Sequence, residues 1–288
     1  MRRIPPAVFL SLLVFLGAGC ASMALRLTPS LLENMTGALF EECDSGLAQQ
    51  AIPANLKILE GLLKSDPGNR RTLASLSMGF GGYAFLFLED DAPERASRLY
   101  LRSRAYAVQA LGARGEALRD QDARAEGVRR AVQGLNRSDL EALFWLTFSW
   151  NAWTRLNLDK PSAIAQMDAS QSCLQRVLEV DEAYFHGAPH ILQGALLAAR
   201  PPLLGGNPAQ ARGHFQKAMD LSRGKFFLAQ FYYARYYAVA VQDRALFLRL
   251  LREILEGNPQ ELKGACLINT VIQGKAMHLA EQVDELFY

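Results

Sequence analysis

The chain has 288 residues, 50% of them apolar, and carries 31 Lys and Arg against 29 Asp and Glu. That length holds one large domain or a short repeat array. The near-neutral balance leaves no basic stripe for a nucleic-acid partner, and four cysteines without a C-x-x-C element argue against a zinc cage.

The first element is N-terminal. Arg2 and Arg3 precede an apolar run at 8–16 that is too short to cross a bilayer as a helix. Residues 1–19 therefore read as a cleaved signal peptide rather than a membrane span. Leu16-Gly17-Ala18-Gly19 leads into Cys20, and a cysteine directly after small residues resembles the lipid acceptor of bacterial lipoproteins. Leu16 stands one place earlier than that pattern has it. Cleavage before Cys20 removes two of the 31 basic residues and leaves 29 against 29 acidic ones. Several acyl chains on Cys20 would anchor the protein to a membrane, where one chain alone binds marginally. Ala21 and Ser22 follow, with no Asp to suggest inner-membrane retention. The expected location is the bacterial envelope, facing the periplasm, at the outer membrane rather than the inner.

Residues 20–46 read as a lipid-anchored tether with a short helix carrying Leu31, Leu32, Met35, Leu39 and Phe40. A helical-repeat domain is expected over 47–288, because the apolar period there is helical throughout. Leu56, Leu59, Leu62 and Leu63 form a stripe that Asp66-Pro67-Gly68-Asn69 stops. Leu73, Leu76, Phe80, Tyr83 and Phe87 form the next, and Leu99, Ala105, Val108 and Leu111 another. The mixed charges of 115–134 read as a solvated helix face. Asn136 to Asp139 enters a helix carrying Leu143, Leu146, Trp150, Trp153 and Leu156, with Trp145 and Phe148 off that stripe. Being apolar around much of its circumference, this helix is expected to be central. Pro161 opens another, and after the apolar stretch 183–199 comes the longest loop, 200–208. Helices are expected at about 208–222, 225–241, 244–256 and 260–285. No segment alternates as a strand does, so the fold is predicted to be all-α. Cys43, Cys173 and Cys266 read as small buried apolar residues, with one disulfide of open pairing allowed in an oxidising periplasm.

Ala211-x-x-x-Phe215-x-x-Ala218 resembles the second half of a tetratricopeptide unit, in which small residues let two helices approach and an aromatic fills the gap. The Asp66-Pro67 and Asn258-Pro259 turns stand where such units end. The first-half signature is poor, so the array is degenerate: a tetratricopeptide-like α-α superhelix, expected to curve into a solenoid with a concave face.

Three blocks together resemble the TatT family, the lipoprotein T-components associated with TRAP transporters. The first is residues 52–63 (IPANLKILEGLL) with 79–85 (GFGGYAF). The second is 184–190 (YFHGAPH) with Gly194. The third is 200–206 (RPPLLGG) with Ala211, Phe215 and Ala218. The resemblance covers most of 47–260. It implies an all-helical, periplasm-facing lipoprotein that works beside a substrate-binding protein and the membrane subunits of a TRAP transporter. It also implies a homotrimer of protomers with apolar cavities.

Candidate sites are few. Glu182, His186 and His190 are four apart and would stack on one helix face as metal ligands do. Gly187 and Pro189 disturb that helix, so packed side chains at a helix entry are expected, with no metal. Tyr232, Tyr233, Tyr236 and Tyr237, with Phe226, Phe227 and Phe231, crowd one helix. They read either as interhelical core or as the wall of an apolar cavity or partner groove, and Trp145, Trp150 and Trp153 share that ambiguity. Pro201, Pro202, Gly205 and Gly206 shape a loop that reads as a connector or as the mouth of a cavity; no Gly-Lys-Ser/Thr follows to make it a phosphate loop. The expectation drawn from these is an apolar cavity with the 201–206 loop near its rim and Tyr233 or Tyr237 in its wall. It would suit a small hydrophobic ligand, or an organic acid with an apolar tail. No G-x-S-x-G or other catalytic constellation occurs, and no cofactor is implied. The leading reading is a non-enzymatic, lipid-anchored accessory protein of a TRAP transporter that binds its substrate-binding protein. The alternatives are a helical-repeat envelope adaptor and a hydrolase whose site is assembled from distant residues.

Overall fold

A computed structural model describes residues 29–119 and 125–287, and among these every regular element is helical. The signal segment and Cys20 lie outside the described residues. Helix α1 spans Pro29–Glu41, α2 Ser45–Ser65, α3 Arg70–Phe87 and α4 Pro93–Leu111. Their starts are set locally. The Asp44 carboxylate accepts the Leu47 N–H at 2.9 Å, and the Asn69 side-chain oxygen accepts that of Thr72 at 3.0 Å. Pro93 takes the first position of α4, where a missing N–H costs nothing.

Helix α5, Ala125–Gln133, lies in the charged stretch, yet Val128 and Val132 are buried. The charges cover its outer side while the valine side packs on α8, Met167–Val180. Helix α6, Leu140–Leu156, is central as its composition predicts: 13 of its 17 residues are buried, and it packs against α3, α4 and α8. A short α7, Pro161–Ile164, connects α6 to α8.

Helices α9, Tyr184–Ala199, and α10, Pro208–Ser222, form a hairpin. Ala211, Phe215 and Ala218 are fully buried in it, and a Cβ added to Gly194 would stand 3.0 Å from the Phe215 ring. The glycine makes room for the aromatic, whose burial is worth roughly 1.5–3 kcal/mol. Phe185, His186 and Gly187 at the start of α9 are left-handed (φ 46°, 61° and 83°). The right-handed helix therefore begins at Ala188, and Pro189 falls in its first turn, where proline is tolerated.

Helix α11, Phe227–Tyr232, continues as a π-helical turn, Tyr233–Ala238, so the helix expected over 225–241 widens halfway. Helix α12 spans Arg244–Glu256, α13 Cys266–Glu281 and α14 Val283–Leu286. The last long helix starts later than the expected 260. Asn258 caps a single 3-10 turn, Pro259–Glu261, and Gly264 at φ +76° redirects the chain.

Helix α13 packs on α11 and α12 and also on α1, α2 and α3. The end of the array thus returns to its beginning. A Cys43–Cys266 disulfide, with Cα atoms 5.1 Å apart, fastens the closure. The reading of three buried thiols holds for Cys173 alone, whose thiol is pushed up to about 12 by burial.

Candidate functional site

Apolar pockets, each partly open to solvent, lie between these helices. An apolar cavity of about 120 Å³ lies between α6, α9 and the α11 segment, lined by Phe148, Ala152, Leu192, Ala195, Tyr232 and Tyr236 among others. A second, of about 80 Å³, lies between α1, α2 and α3 and reaches Trp145. A void of about 30 Å³ stands between the two. It shares Gly82, Leu86 and Trp145 with the second cavity, and Phe148 and Leu192 with the first. The three therefore form a row along one side of α6.

The left-handed turn borders this row. Phe185 lines the middle void and packs among Phe40, Phe144, Trp145 and Phe226, with ring centroids 5.5–6.0 Å apart. Successive left-handed residues other than glycine are costly and persist where surrounding packing enforces them, and this aromatic cluster supplies that packing.

At the other end Tyr236 borders both the first cavity and an outer groove of about 760 Å³. That groove is polar. It carries Asp90 and Asp91, with Lys275 bonded to Asp90 and Arg235 3.8 Å from it. Beneath it the buried Glu89 carboxylate takes Arg155 at 2.7 Å and the Tyr100 hydroxyl at 2.5 Å. Burial first, then the Glu89 charge, holds the Tyr100 phenol well above its ordinary value. The Glu89–Arg155 pair closes the base of the groove with its charges matched.

The first cavity's polar groups are unevenly partnered. Asn151 is satisfied: its amide donates to Thr147 O at 2.9 Å and its oxygen accepts from Ser170 at 3.0 Å. The Thr154 hydroxyl and Arg200 Nε, both buried atoms of lining residues, have no hydrogen-bond partner.

The residues singled out from sequence fall in different places. Trp145 borders the second and middle voids. Trp150 is fully buried, its indole N–H donating to Gln166 at 2.9 Å while Arg104 stacks 3.7 Å above its ring. Trp153 is buried in the last turn of α6, its carbonyl accepting from Asn157. Tyr233 stacks on Phe215 with centroids 5.0 Å apart, and Tyr237 packs on Tyr233. From this segment the first cavity's wall takes Tyr232 and Tyr236. The chain leaves that wall at Arg200 and enters the loop of Pro201, Pro202, Gly205 and Gly206. This loop is a rigid turn. The Gly206 N–H donates to Pro201 O at 3.1 Å and the Asn207 N–H to Leu197 O at 2.9 Å, and a Cβ on Gly206 would collide with Arg200 O at 1.8 Å. It lifts Leu203 and Leu204 into solvent.

Glu182, His186 and His190 do not share a helix face, because the left-handed turn intervenes. His190 instead faces His214 Nδ1 to Nδ1 at 2.8 Å and Glu182 at 3.3 Å. Among the described residues no cluster has the makings of a metal site. Sequence reasoning missed Thr154 and Arg200, and of the four tyrosines it named it put Tyr233 or Tyr237 in the wall where the structure has Tyr232 and Tyr236. The RPP sequence marked the loop, and its arginine was the signal overlooked.

An all-helical protein with apolar pockets between its helices, and with no described helix long and apolar enough to cross a membrane, is thus defined by its fold. The chain belongs to the TRAP transporter T-component family (TAtT), whose sequence profile matches residues 41–287. Its role is accordingly that of an accessory component of such a transporter. A curated relative is an uncharacterized protein of Treponema pallidum (strain Nichols). The two are 23% identical over 273 residues, covering 88% of this chain and 84% of the relative.

Proposed function

We propose that this chain is the lipid-anchored, periplasm-facing partner of a TRAP substrate-binding protein, and that its row of cavities receives a small apolar ligand or organic acid from it. The observation that carries the reading is the row itself. Ligand sites are concave and mostly apolar, and three adjoining apolar pockets along one helix fit that description. The Cys43–Cys266 disulfide supports an oxidising compartment such as the periplasm. The exposed Leu203 and Leu204 on a stiff turn supply an apolar contact for a docking partner. The protein is proposed to act as a trimer without catalysing a reaction.

The test is association of the purified mature protein with the TRAP substrate-binding protein of the same organism, read by sedimentation, which also reports the oligomeric state. A complex at micromolar concentration is expected. No complex would leave the envelope-adaptor reading as the better one. Anchoring is tested separately: Cys20→Ala should release the protein from the membrane fraction or leave an unprocessed precursor.

A further inference from the structure

A surface helix normally turns its apolar stripe to the core and polar residues to water. Helix α2 departs from this. Its core side is Ala48, Ile52, Leu56 and Leu59, all buried. A polar side turns to α4, where Glu60 accepts from the Tyr106 hydroxyl at 2.6 Å and pairs with Arg102. A third side carries Leu47, Ala51, Ala54, Ile58 and Leu62, and steps of three and four residues place them along one line. Leu47 is 54% exposed and Ile58 55%. Helix α1 is also incompletely covered. Leu32, Leu39 and Phe40 pack on the core, yet no described side chain of α1 is fully buried. The two helices are joined by residues 42–44 and line one pocket together. Single exposed apolar residues are ordinary, but a line of them beside a second half-covered helix marks a contact surface.

The chain ahead of α1 says what that surface meets. Cys20 stands nine residues before Pro29, and nine residues span at most about 30 Å. An acyl group on Cys20 therefore holds the start of α1 within that distance of the bilayer. Charge narrows the choice of lipid. Residues 29–65 carry five carboxylates against two lysines, Lys57 and Lys64, so anionic headgroups would be repelled. We infer that α1 and the outer line of α2 form a platform that rests in the headgroup region of a zwitterionic, phosphatidylethanolamine-rich leaflet, as interfacial helices do. The inference rests on the anchoring at Cys20 proposed above and adds the face that the protein turns to the membrane. That face is separate from the loop of Leu203 and Leu204.

The experiment sets the full acylated chain on vesicles of phosphatidylethanolamine and phosphatidylcholine, with a nitroxide attached through Ile58→Cys or Leu203→Cys. Both positions are exposed, and the lipidated Cys20, the disulfide and the buried Cys173 leave the new thiol as the reactive one. Relaxation by oxygen, which enters lipid, is compared with relaxation by a water-soluble nickel chelate. The label at 58 should gain oxygen contact and lose chelate contact relative to the label at 203, and phosphatidylglycerol in place of half the phosphatidylethanolamine should reduce the change. In the unacylated mature chain in buffer, both labels should be equally open to chelate. A label at 58 that stays open to chelate on vesicles overturns the platform and leaves the anchor standing. A label already shielded in buffer shows that a second copy or the chain's own N-terminal segment covers α2, and overturns the membrane contact. A change at 58 that grows with phosphatidylglycerol overturns the zwitterionic assignment. Mass spectrometry showing Cys20 without acyl groups in the native protein overturns anchor and platform together.

Discussion

Helix α6 separates two kinds of interior. Towards α4 and α8 it is packed and saturated: Trp150 donates to Gln166, Arg104 covers its ring and donates to the same Gln166 at 2.9 Å, and no polar atom of Trp150 or Gln166 is left over. Nearby, Ser149 Oγ lies 2.6 Å from Ser103 Oγ, which in turn donates to Ser77 O at 2.7 Å. On the cavity side Trp145 has an unpartnered indole N–H and voids against its ring. Two tryptophans five residues apart on one helix thus do opposite things. One side is built for stability; the other gives up packing and hydrogen bonds to keep space.

The largest expected difference comes from truncating those two rings. Trp150→Ala should cost about 3–5 kcal/mol, at the upper end because it also uncovers the Arg104 guanidinium and removes one donor to Gln166. Trp145→Ala should cost less than the lower bound, since its ring already borders empty space. Urea denaturation measures both, and equal losses would erase the distinction between the sides.

The closure comes next. Removing the Cys43–Cys266 disulfide, which spans 223 residues of chain, should cost about 2–4 kcal/mol. Its effect should be one-sided. Leu267, next to Cys266, lines the second cavity, so amide exchange should rise in α1, α2 and α13 while α4 and α6 stay protected. Uniform loss of protection would mean that the two sides unfold as one.

Adjacent glycines give a finer probe. A Cβ at Gly81 would stand 2.7 Å from Ser149 Oγ, whereas one at Gly82 meets nothing within 4 Å. Gly81→Ala should cost about 1–3 kcal/mol by overpacking, and Gly82→Ala should change stability by under about 0.5 kcal/mol. Thermal melts of the two variants read this directly.

Acidification should also act on one side. His186, His190 and His214 all sit on the α9–α10 hairpin, and burial lowers each below its ordinary value; Glu182 opposes this at His190 without reversing it, and His190 reinforces it at His214. The unfolded chain binds protons more readily than the folded one, so this stability is intact above the unfolded histidine value, about 6.5, and is lost as pH falls from there towards the lowered folded values. Between pH 8 and pH 5 the melting temperature should drop, with exchange rising first in α9 and α10. A melting temperature that is flat over that range would show these rings to be solvated.

Legibility followed the same divide. Helices, turns and the Phe215 packing rest on local apolar period and on Gly, Pro and Asn stops, and these could be read directly. Tyr232/Tyr236 and Tyr233/Tyr237 have the same spacing, so which pair meets the cavity is decided by the π turn and by neighbours distant in sequence. The left-handed turn at 185–187 depends on the aromatics around Phe185, two of which are Phe40 of α1 and Phe226, the residue before α11. The disulfide joins ends that meet because α13 closes the array. A void has no residue of its own, and its position emerges only when every neighbour is placed.

The smallest effect is the most discriminating, because two threonines of α6 differ by one bond. Thr147 Oγ1 donates to Leu143 O at 2.7 Å in the saturated interior, while Thr154 Oγ1 is buried at the cavity with no partner. Valine keeps the shape of threonine and removes the hydroxyl. Thr147→Val leaves an intrahelical carbonyl without its extra donor and should cost about 0.5–1.5 kcal/mol, the net worth of a hydrogen bond. Thr154→Val removes a desolvated group that gains nothing in the empty protein, so it should be neutral or raise stability by up to about 1 kcal/mol. The sign difference should appear in thermal melts of the two variants. A loss of stability in ligand-free Thr154→Val as large as in Thr147→Val would mean that its hydroxyl is already satisfied, and the cavity side would lose its claim to hold an unspent polar group.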